Sequence, residues 1–362
     1  MSKTYLVFIL VLFTCAANAQ TDTLMQYKLK KIEQLTSIAA QTHHIMIESR
    51  KIAENALTEK PAPIQTISSE GRLAGDPIKN ATQQSIKDFD KIFSLALAYN
   101  ITKDKKYLDK ATVYLLAWAR LNKPEGNPIN DTNLDQAIEG YMLIRGYLSR
   151  NDDQMITDWL RTVAREEMIS FFKNQQKEIS RNNWNSHRLK ILVQITQALD
   201  DPSNQPLNDK LIRQQLDNNL LPDGSSIDFR LRDALHYHVY DLEPLLKLAI
   251  IIKETTGFDY YTYQTTKGAS IKKSVEWLVP YLRGEKKHEE YVHSTVKFDS
   301  ERARNGEEGF KKGTMFDPAK GLKVLALAGY FDPSYDLLYR NIKGDVLNNA
   351  DWQLLYRLLI LQ

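Results

Sequence analysis

The strongest constraint in this sequence is a helical hydrophobic period that runs through most of its length. Apolar residues recur three and four positions apart at Phe89, Ile92, Phe93, Leu95, Ala96, Leu97 and Tyr99, again at Tyr107, Leu108, Ala111, Tyr114, Leu115, Ala117 and Trp118, and again at Leu134, Ala137, Tyr141, Met142 and Tyr147. The connectors are short and carry helix breakers: Asn100-Ile101-Thr102-Lys103-Asp104, Asn122-Lys123-Pro124-Glu125-Gly126-Asn127-Pro128 and Asp200-Asp201-Pro202-Ser203-Asn204. Further helices are predicted at about 152–173, 184–199, 206–217, 232–255, 268–283, 317–329 and 334–343, with a last one ending the chain. Short connectors make consecutive helices antiparallel neighbours. An all-α chain of this kind, without a clear repeat, fits an α-solenoid or a toroid in which helix pairs close into an inner and an outer ring.

The first twenty residues stand apart from this pattern. A lysine, an apolar run from Tyr5 to Phe13 and the small residues Ala17-Asn18-Ala19 before Gln20 read as a secretory signal cut after Ala19, which places the protein in the periplasm or outside the cell. The apolar run is short of the roughly 20 residues that span a membrane. Leu12-Phe13-Thr14-Cys15 loosely resembles a lipid-attachment box, but Phe13 and Thr14 fit it badly, so the plain cut is preferred. Cys15 is the only cysteine and lies inside the signal, so the mature chain has neither a disulfide nor a thiolate metal site. No long Pro/Gly/Ser linker divides residues 20–362, so either one large closed architecture or two abutting domains is expected, the single domain being the preferred reading. A formal charge of +3 lacks the electrostatic footprint of a nucleic-acid binder. An anionic partner must be met by a local cluster of basic residues.

Two segments break the helical pattern: Ser225 to Arg230, after the turn Pro222-Asp223-Gly224, and Tyr291 to Phe298, which alternates and is β-branched. Non-helical insertions are where a site is expected. A third irregularity is "RNNWNSHR", Arg181 to Arg188, at the mouth of a predicted helix. One asparagine there suffices as a helix cap. Asn182, Asn183, Asn185, His187 and Arg188 supply more amide donors and a titratable imidazole than a cap needs, and Asn183 and His187, four apart, share a helix face.

The segment "FRLRDALHYHVYDLEPLL", Phe229 to Leu246, is the second such cluster. Read as one helix, it puts Arg230 and Tyr237 two turns apart on one face, with His236, His238 and Tyr240 to the sides. As plain core this would bury many polar tips, each needing a partner. The third is "KKHEEYVHSTVKFDSERAR". Lys286 and Lys287 read as a solvated face, whereas Lys297, Arg302 and Arg304 follow the strand-like segment and can face a groove. His236 and His238, two apart, lack the spacing of a helical metal pair, and HExxH, GxGxxG, P-loop and GxSxG motifs are absent. Paired carboxylates for glycoside hydrolysis, drawn from Asp131, Asp135, Glu139, Asp228 and Asp233, remain an alternative.

At the tyrosine cluster the sequence resembles the alginate lyases of the (α/α)-toroid superfamily, polysaccharide lyase families 5 and 38. Their signature of an arginine, then Arg-Ala-Leu-His-Tyr-His, is matched by Arg230, Ala234, Leu235, His236, Tyr237 and His238, with Asp233 at the inner basic position. Ser94 to Ala119 resembles an early helix pair of the superfamily, and "HSTVKFDSERA", His293 to Ala303, its later part. In those enzymes an Asn-Asn-His run precedes the tyrosine cluster by roughly fifty positions. Here it reads Asn182-Asn183-Trp184, with the histidine three residues later, a departure that points towards family 38. Asn183 carries over directly, and His187 by proximity.

The resemblance implies an incomplete toroid of about six to seven helix pairs and a metal-independent, cofactor-free β-elimination on a polyuronate, most simply alginate. Asn183, His187 and Arg230 are then the neutralisers of the C5 carboxylate, a task for fixed amide, imidazole and guanidinium donors. Tyr237 gives a proton to O4, and takes the C5 proton as well when both lie on one face of the sugar. When they lie on opposite faces, His187 is the base. Asn182, Trp184, Arg188, His236, His238, Tyr291, Lys297 and Arg302 are expected to hold neighbouring sugars by charge pairing and ring stacking. A glucuronan lyase, a toroid glycoside hydrolase and a non-catalytic glycan-binding protein are the alternatives.

Overall fold

Each periodic run becomes a helix, and local chemistry sets its ends. The computed structural model describes residues 44–342 and 351–357, together with 32–33 and 35–36; the expected signal at 1–19 lies outside the described residues. In chain order the helices are α1 (His44–Thr58), α2 (Pro77–Ser85), α3 (Lys87–Thr102), α4 (Lys105–Leu121), α5 (Pro128–Asp131), α6 (Asp135–Ile144), α7 (Arg150–Lys173) and α8 (Asn183–Ala198). They continue as α9 (Gln205–Asn219), α10 (Ile227–Arg232), α11 (Leu235–Thr256), α12 (Ile271–Leu282), α13 (Lys297–Arg304), α14 (Leu322–Ala328), α15 (Ser334–Asn341) and α16 (Trp352–Arg357). Two short strands, β1 (Glu289–Glu290) and β2 (Thr314–Met315), pair antiparallel. No helix among the described residues is long and apolar enough to cross a membrane.

Helices α3, α6, α8, α11 and α14 pack side by side in that order, and α4, α7, α9, α12 and α15 lean on them from outside. The sequence shows why. Nearly every side chain of α6, α8 and α14 is buried, the mark of an interior helix. The outer helices α4 and α7 keep an outward face on which Val113, Ile169 and Phe172 are exposed. At the α3/α6 crossing the backbones approach so closely that a Cβ on Gly140 would stand 2.8 Å from the Ile92 Cγ2.

Polar groups buried beneath the inner row are paired. Asp135 of α6 accepts from Lys190 of α8 at 2.9 Å and Lys247 of α11 at 2.8 Å, and Lys247 and Lys323 both reach Asp351 ahead of α16. Those pairs tie four inner helices to the last one. Their charges are nearly removed from water, so each needs its partner to offset the lost hydration.

Three predicted boundaries shift, each for a visible reason. Ser225 to Arg230 is only in part non-helical: Ser226 accepts from the Phe229 N–H and starts α10 at Ile227. The helix predicted from 232 is broken, because Asp233 takes a left-handed conformation (φ 48°) and Ala234 an extended one, so α11 begins at Leu235. The strand-like reading of Tyr291 to Phe298 fails beyond Glu290. Tyr291 is itself left-handed (φ 63°). Its N–H donates to the Asp233 carbonyl, that of His293 to the Asp233 carboxylate and that of Thr295 to the Leu231 carbonyl. The segment is a strap fastened onto the α10–α11 break.

Candidate active site

The α8 start divides the work of its asparagines. Asn182 is the cap, its Oδ1 accepting from the Trp184 N–H at 3.0 Å. Asn183 is held at two points by Asp228: its backbone N–H donates to Oδ2 at 2.9 Å and its Nδ2 to Oδ1. Asn185 donates to Gln215 and accepts from Arg188. One turn on, His187 is buried, with Nδ1 2.9 Å from the Thr132 hydroxyl, its ring 4.4 Å from that of Tyr240 and, among the described residues, no hydrogen-bond partner for Nε2. Burial first, then Lys190 and Lys323, push its pKa well below the usual histidine value. It is therefore neutral near pH 7. The Thr132 hydroxyl can donate or accept, so Nε2 can serve as a base or as a donor.

The α11 start has no capping side chain at Ala234, and the strap supplies one. Glu290, fully buried, accepts from the Leu235 N–H at 2.7 Å and the His236 N–H at 3.1 Å. This fixes the turn that carries Tyr237. The Tyr237 hydroxyl accepts from the Arg302 NH1 at 2.9 Å, and the Arg232 guanidinium lies 3.8 Å over its ring. Burial pushes the phenol's pKa up, while the two arginines oppose that shift. Arg302 is held in place by the rings of Phe298 and Phe310 at 4.7 and 4.4 Å. Tyr240 joins the two clusters, its ring 6.5 Å from that of Tyr237 and 4.4 Å from that of His187. The assembly can hold an anion with arginine and amide groups beside a phenol and a neutral imidazole placed to move protons.

His187, His236, Tyr237, Tyr291 and Arg302 thus come together, with Asn183 one turn ahead of His187 on α8. Tyr291 stands edge-on to Tyr237 at 6.4 Å with its buried hydroxyl unpartnered, and burial drops the His236 pKa to about 4. Trp184, half-buried, sits at the same helix start. Asn182, spent on the helix cap, and four other expected residues do not join them. Arg230 is more than half exposed and pairs with Asp223 and Ser225, because the break at Asp233 cancels the two-turn spacing to Tyr237. Arg188 is turned inward, 2.8 Å from a fully buried Glu167. Lys297 extends into solvent beside Glu301. His238 has both nitrogens satisfied, Nδ1 by the Ser226 hydroxyl at 3.0 Å and Nε2 by the Ser274 carbonyl at 3.1 Å.

Arg232, Tyr240, Thr132 and Glu290 were not predicted. Arg232 and Tyr240 stand inside the quoted motif and were hidden only by the single-helix reading; Thr132 and Glu290, each about fifty-five positions from the residue it serves, leave no local signal. Four of the carboxylates weighed for hydrolysis have partners: Asp135 at two lysines, Glu139 at Tyr356, Asp228 at Asn183 and Asp233 at the strap; Asp131 lies buried beside Glu167, and burial and that second acid push its pKa well up. A cavity of about 490 Å³ lies at the opposite end of α8, between Val193, Phe258 and Tyr260, away from these groups.

A ring of paired helices whose mouth gathers arginines, a tyrosine and a buried, neutral imidazole is the make-up of a polysaccharide lyase. The family model described as Alginate lyase matches residues 29–288, and the chain belongs to that family. Among solved structures it is similar to an alginate lyase from Bacteroides ovatus (TM-score 0.64, 17% identity, covering 90% of this chain and 97% of that one). It is also similar to alginate lyase A1-III from Sphingomonas species A1 (TM-score 0.54, 19% identity, 83% and 94%). A tyrosine-to-phenylalanine variant of A1-III complexed with a tetrasaccharide matches with TM-score 0.61 at 17% identity, over 91% and 93%. No curated protein matches the sequence. The fold is the (α/α) toroid, and the chain is a polysaccharide lyase.

Proposed function

We propose that this lyase cleaves alginate by β-elimination without a metal, with Tyr237 as the acid that protonates the leaving O4. The carrying observation is the Tyr237 hydroxyl, buried, bonded to Arg302 and facing His187 across Tyr240. The C5 proton next to a carboxylate is weakly acidic until that carboxylate is neutralised and the enolate charge has donors. Asn183, Arg232 and Arg302 are the donors; Arg232 and Arg302 take the part expected of Arg230. The base removes the C5 proton, the C5 electron pair forms the C4–C5 double bond, the C4–O4 bond breaks, and O4 leaves with the Tyr237 proton. On mannuronate Tyr237 enters as the phenolate held by the two arginines, takes the C5 proton and passes that same proton to O4. On guluronate the neutral His187 takes the C5 proton from the opposite face, the protonated Tyr237 gives its own to O4, and solvent returns both groups to their starting states.

The tetrasaccharide complexes of A1-III support an oligosaccharide in the corresponding cleft. Incubation with polymannuronate, polyguluronate and glucuronan tests the reading. The ultraviolet absorbance of a C4–C5 unsaturated product is expected on alginate blocks. Reducing ends without that absorbance mean hydrolysis, binding without either means a glycan-binding protein, and absorbance on glucuronan alone moves the substrate. Export to the periplasm or medium belongs to the same proposal, and its product should begin at Gln20 by N-terminal sequencing.

A further inference from the structure

We propose that Asp228 is a positioning residue for Asn183, aiming its amide at the substrate carboxylate through a buried two-acid network. The inference rests on the lyase reading, in which Asn183 meets that carboxylate. Asp228 receives the Asn183 N–H at 2.9 Å, the Asn183 Nδ2 and the Asn219 Nδ2 at 3.1 Å. The same Asn219 Nδ2 lies 3.2 Å from Asp241 Oδ1, which also accepts from Ser186 at 2.6 Å. Both carboxylates are buried. The groups that face Asp228 are Asn183 from α8, Asn219 from α9, Arg232 from the end of α10 and Asp241 from α11.

Two acids that share one amide in a dry interior do not both ionise. Asp241 is the member that keeps its proton: its Oδ2 has no donor, and burial followed by the Asp228 charge pushes its pKa well up. Asp228, with three donors, is the ionised member near neutral pH, although burial lifts it to about 6. An amide nitrogen carries two hydrogens in one plane. With the Asn183 backbone and one of these hydrogens fixed on the two oxygens of Asp228, the direction of the second hydrogen is set. Protonation of Asp228 removes the negative charge that draws both donors, so the arrangement loosens as pH falls through about 6.

The test is a comparison of purified full-length wild type, Asp228→Asn, Asn183→Ala, the double variant and Asp241→Asn, by steady-state elimination on oligouronates from pH 5 to 8. Asp228→Asn is nearly isosteric, and thermal unfolding checks its fold. The expected result is a fall in kcat of about tenfold or more, with a smaller change in KM, as when a preorganised donor is lost. Its acid limb near pH 6 should vanish, and Asn183→Ala in that background should cost far less than in wild type. Asp241→Asn keeps the network's shape without touching Asn183 and should retain most of the rate. Three results overturn the proposal: wild-type kinetics in Asp228→Asn, strict additivity with Asn183→Ala, or equal losses in the two aspartate variants. If Asp228→Asn unfolds, Asn219→Ala, which removes a donor to Asp228 but not its hold on Asn183, replaces it. A shift of the acid limb then supports the proposal, and an unshifted limb overturns it. Inactive wild type on every polyuronate overturns the lyase reading itself, which separates the two failures.

Discussion

His187 and His238 are both buried at the starts of inner helices, and burial depresses both. Their surroundings differ in one respect. The ring of His238 is closed off by Ser226 and Ser274, whereas the Nε2 of His187 has no hydrogen-bond partner among the described residues. A buried polar atom left unpaired costs free energy, so each one calls for an explanation, a working role among them. The arginines repeat the contrast. Arg188 is spent on Glu167 and Arg230 on Asp223, whereas Arg232, although paired with the buried Asp299, and Arg302 converge on Tyr237. What separates a structural residue from a working one here is the partner it meets, not the residue type.

The largest effect expected from this contrast is on stability. Arg188→Ala leaves Glu167 charged and buried without its partner and should cost ~3–5 kcal/mol in denaturant unfolding, with activity per folded molecule preserved. A raised KM with unchanged stability would return Arg188 to the cleft. Next is Tyr237→Phe, expected to lower kcat/KM by ~10²-fold, about 2.7 kcal/mol of transition-state stabilisation, with little change in melting temperature. Near-normal turnover would remove Tyr237 as the acid.

The two histidines should then separate. His238→Ala removes one hydrogen-bond partner each from the Ser226 hydroxyl and the Ser274 carbonyl and empties a buried ring site, and should cost ~1–3 kcal/mol of stability at nearly unchanged specific activity. His187→Ala should abolish polyguluronate cleavage while largely sparing polymannuronate; equal loss on both would assign it to carboxylate neutralisation. The pH dependence of stability draws on both histidines. His187, His236 and His238 all have folded-state values below the ordinary one, so below about pH 6.5 the unfolded chain binds protons that the folded chain refuses. Stability is fully present above that pH and falls as pH drops towards about 4. Each such group contributes up to ~1.4 kcal/mol per pH unit, and His238→Gln should flatten the slope by one proton's worth. Arg230→Ala should do least, within ~0.5 kcal/mol of wild-type stability and close to wild-type rate. A large drop in rate would restore the part that the sequence motif suggested for it.

The helices were legible because their signal is local: a 3.6-residue period needs only neighbouring positions, and α7, α8 and α9 lie within two residues of the predicted spans. Asn183, His187 and Tyr237 were legible because polar groups gathered at apolar helix starts require partners. Arg230 misled because its spacing to Tyr237 assumes an unbroken helix, and a single left-handed residue, Asp233, turns the chain between them. Glu290 and Thr132 were invisible because nothing in a chain's order shows which residue fifty-five positions away will meet a free N–H or a ring nitrogen.

By itself, then, the sequence determined the helical class, the paired arrangement and the residue types from which a uronate lyase is assembled. Only the tertiary structure decided which arginine reaches the tyrosine, which histidine keeps a free nitrogen and which acid holds Asn183. Those outcomes depend on the closure of the inner row and on the strap across the α10–α11 break, contacts between distant positions whose geometry local periodicity does not encode.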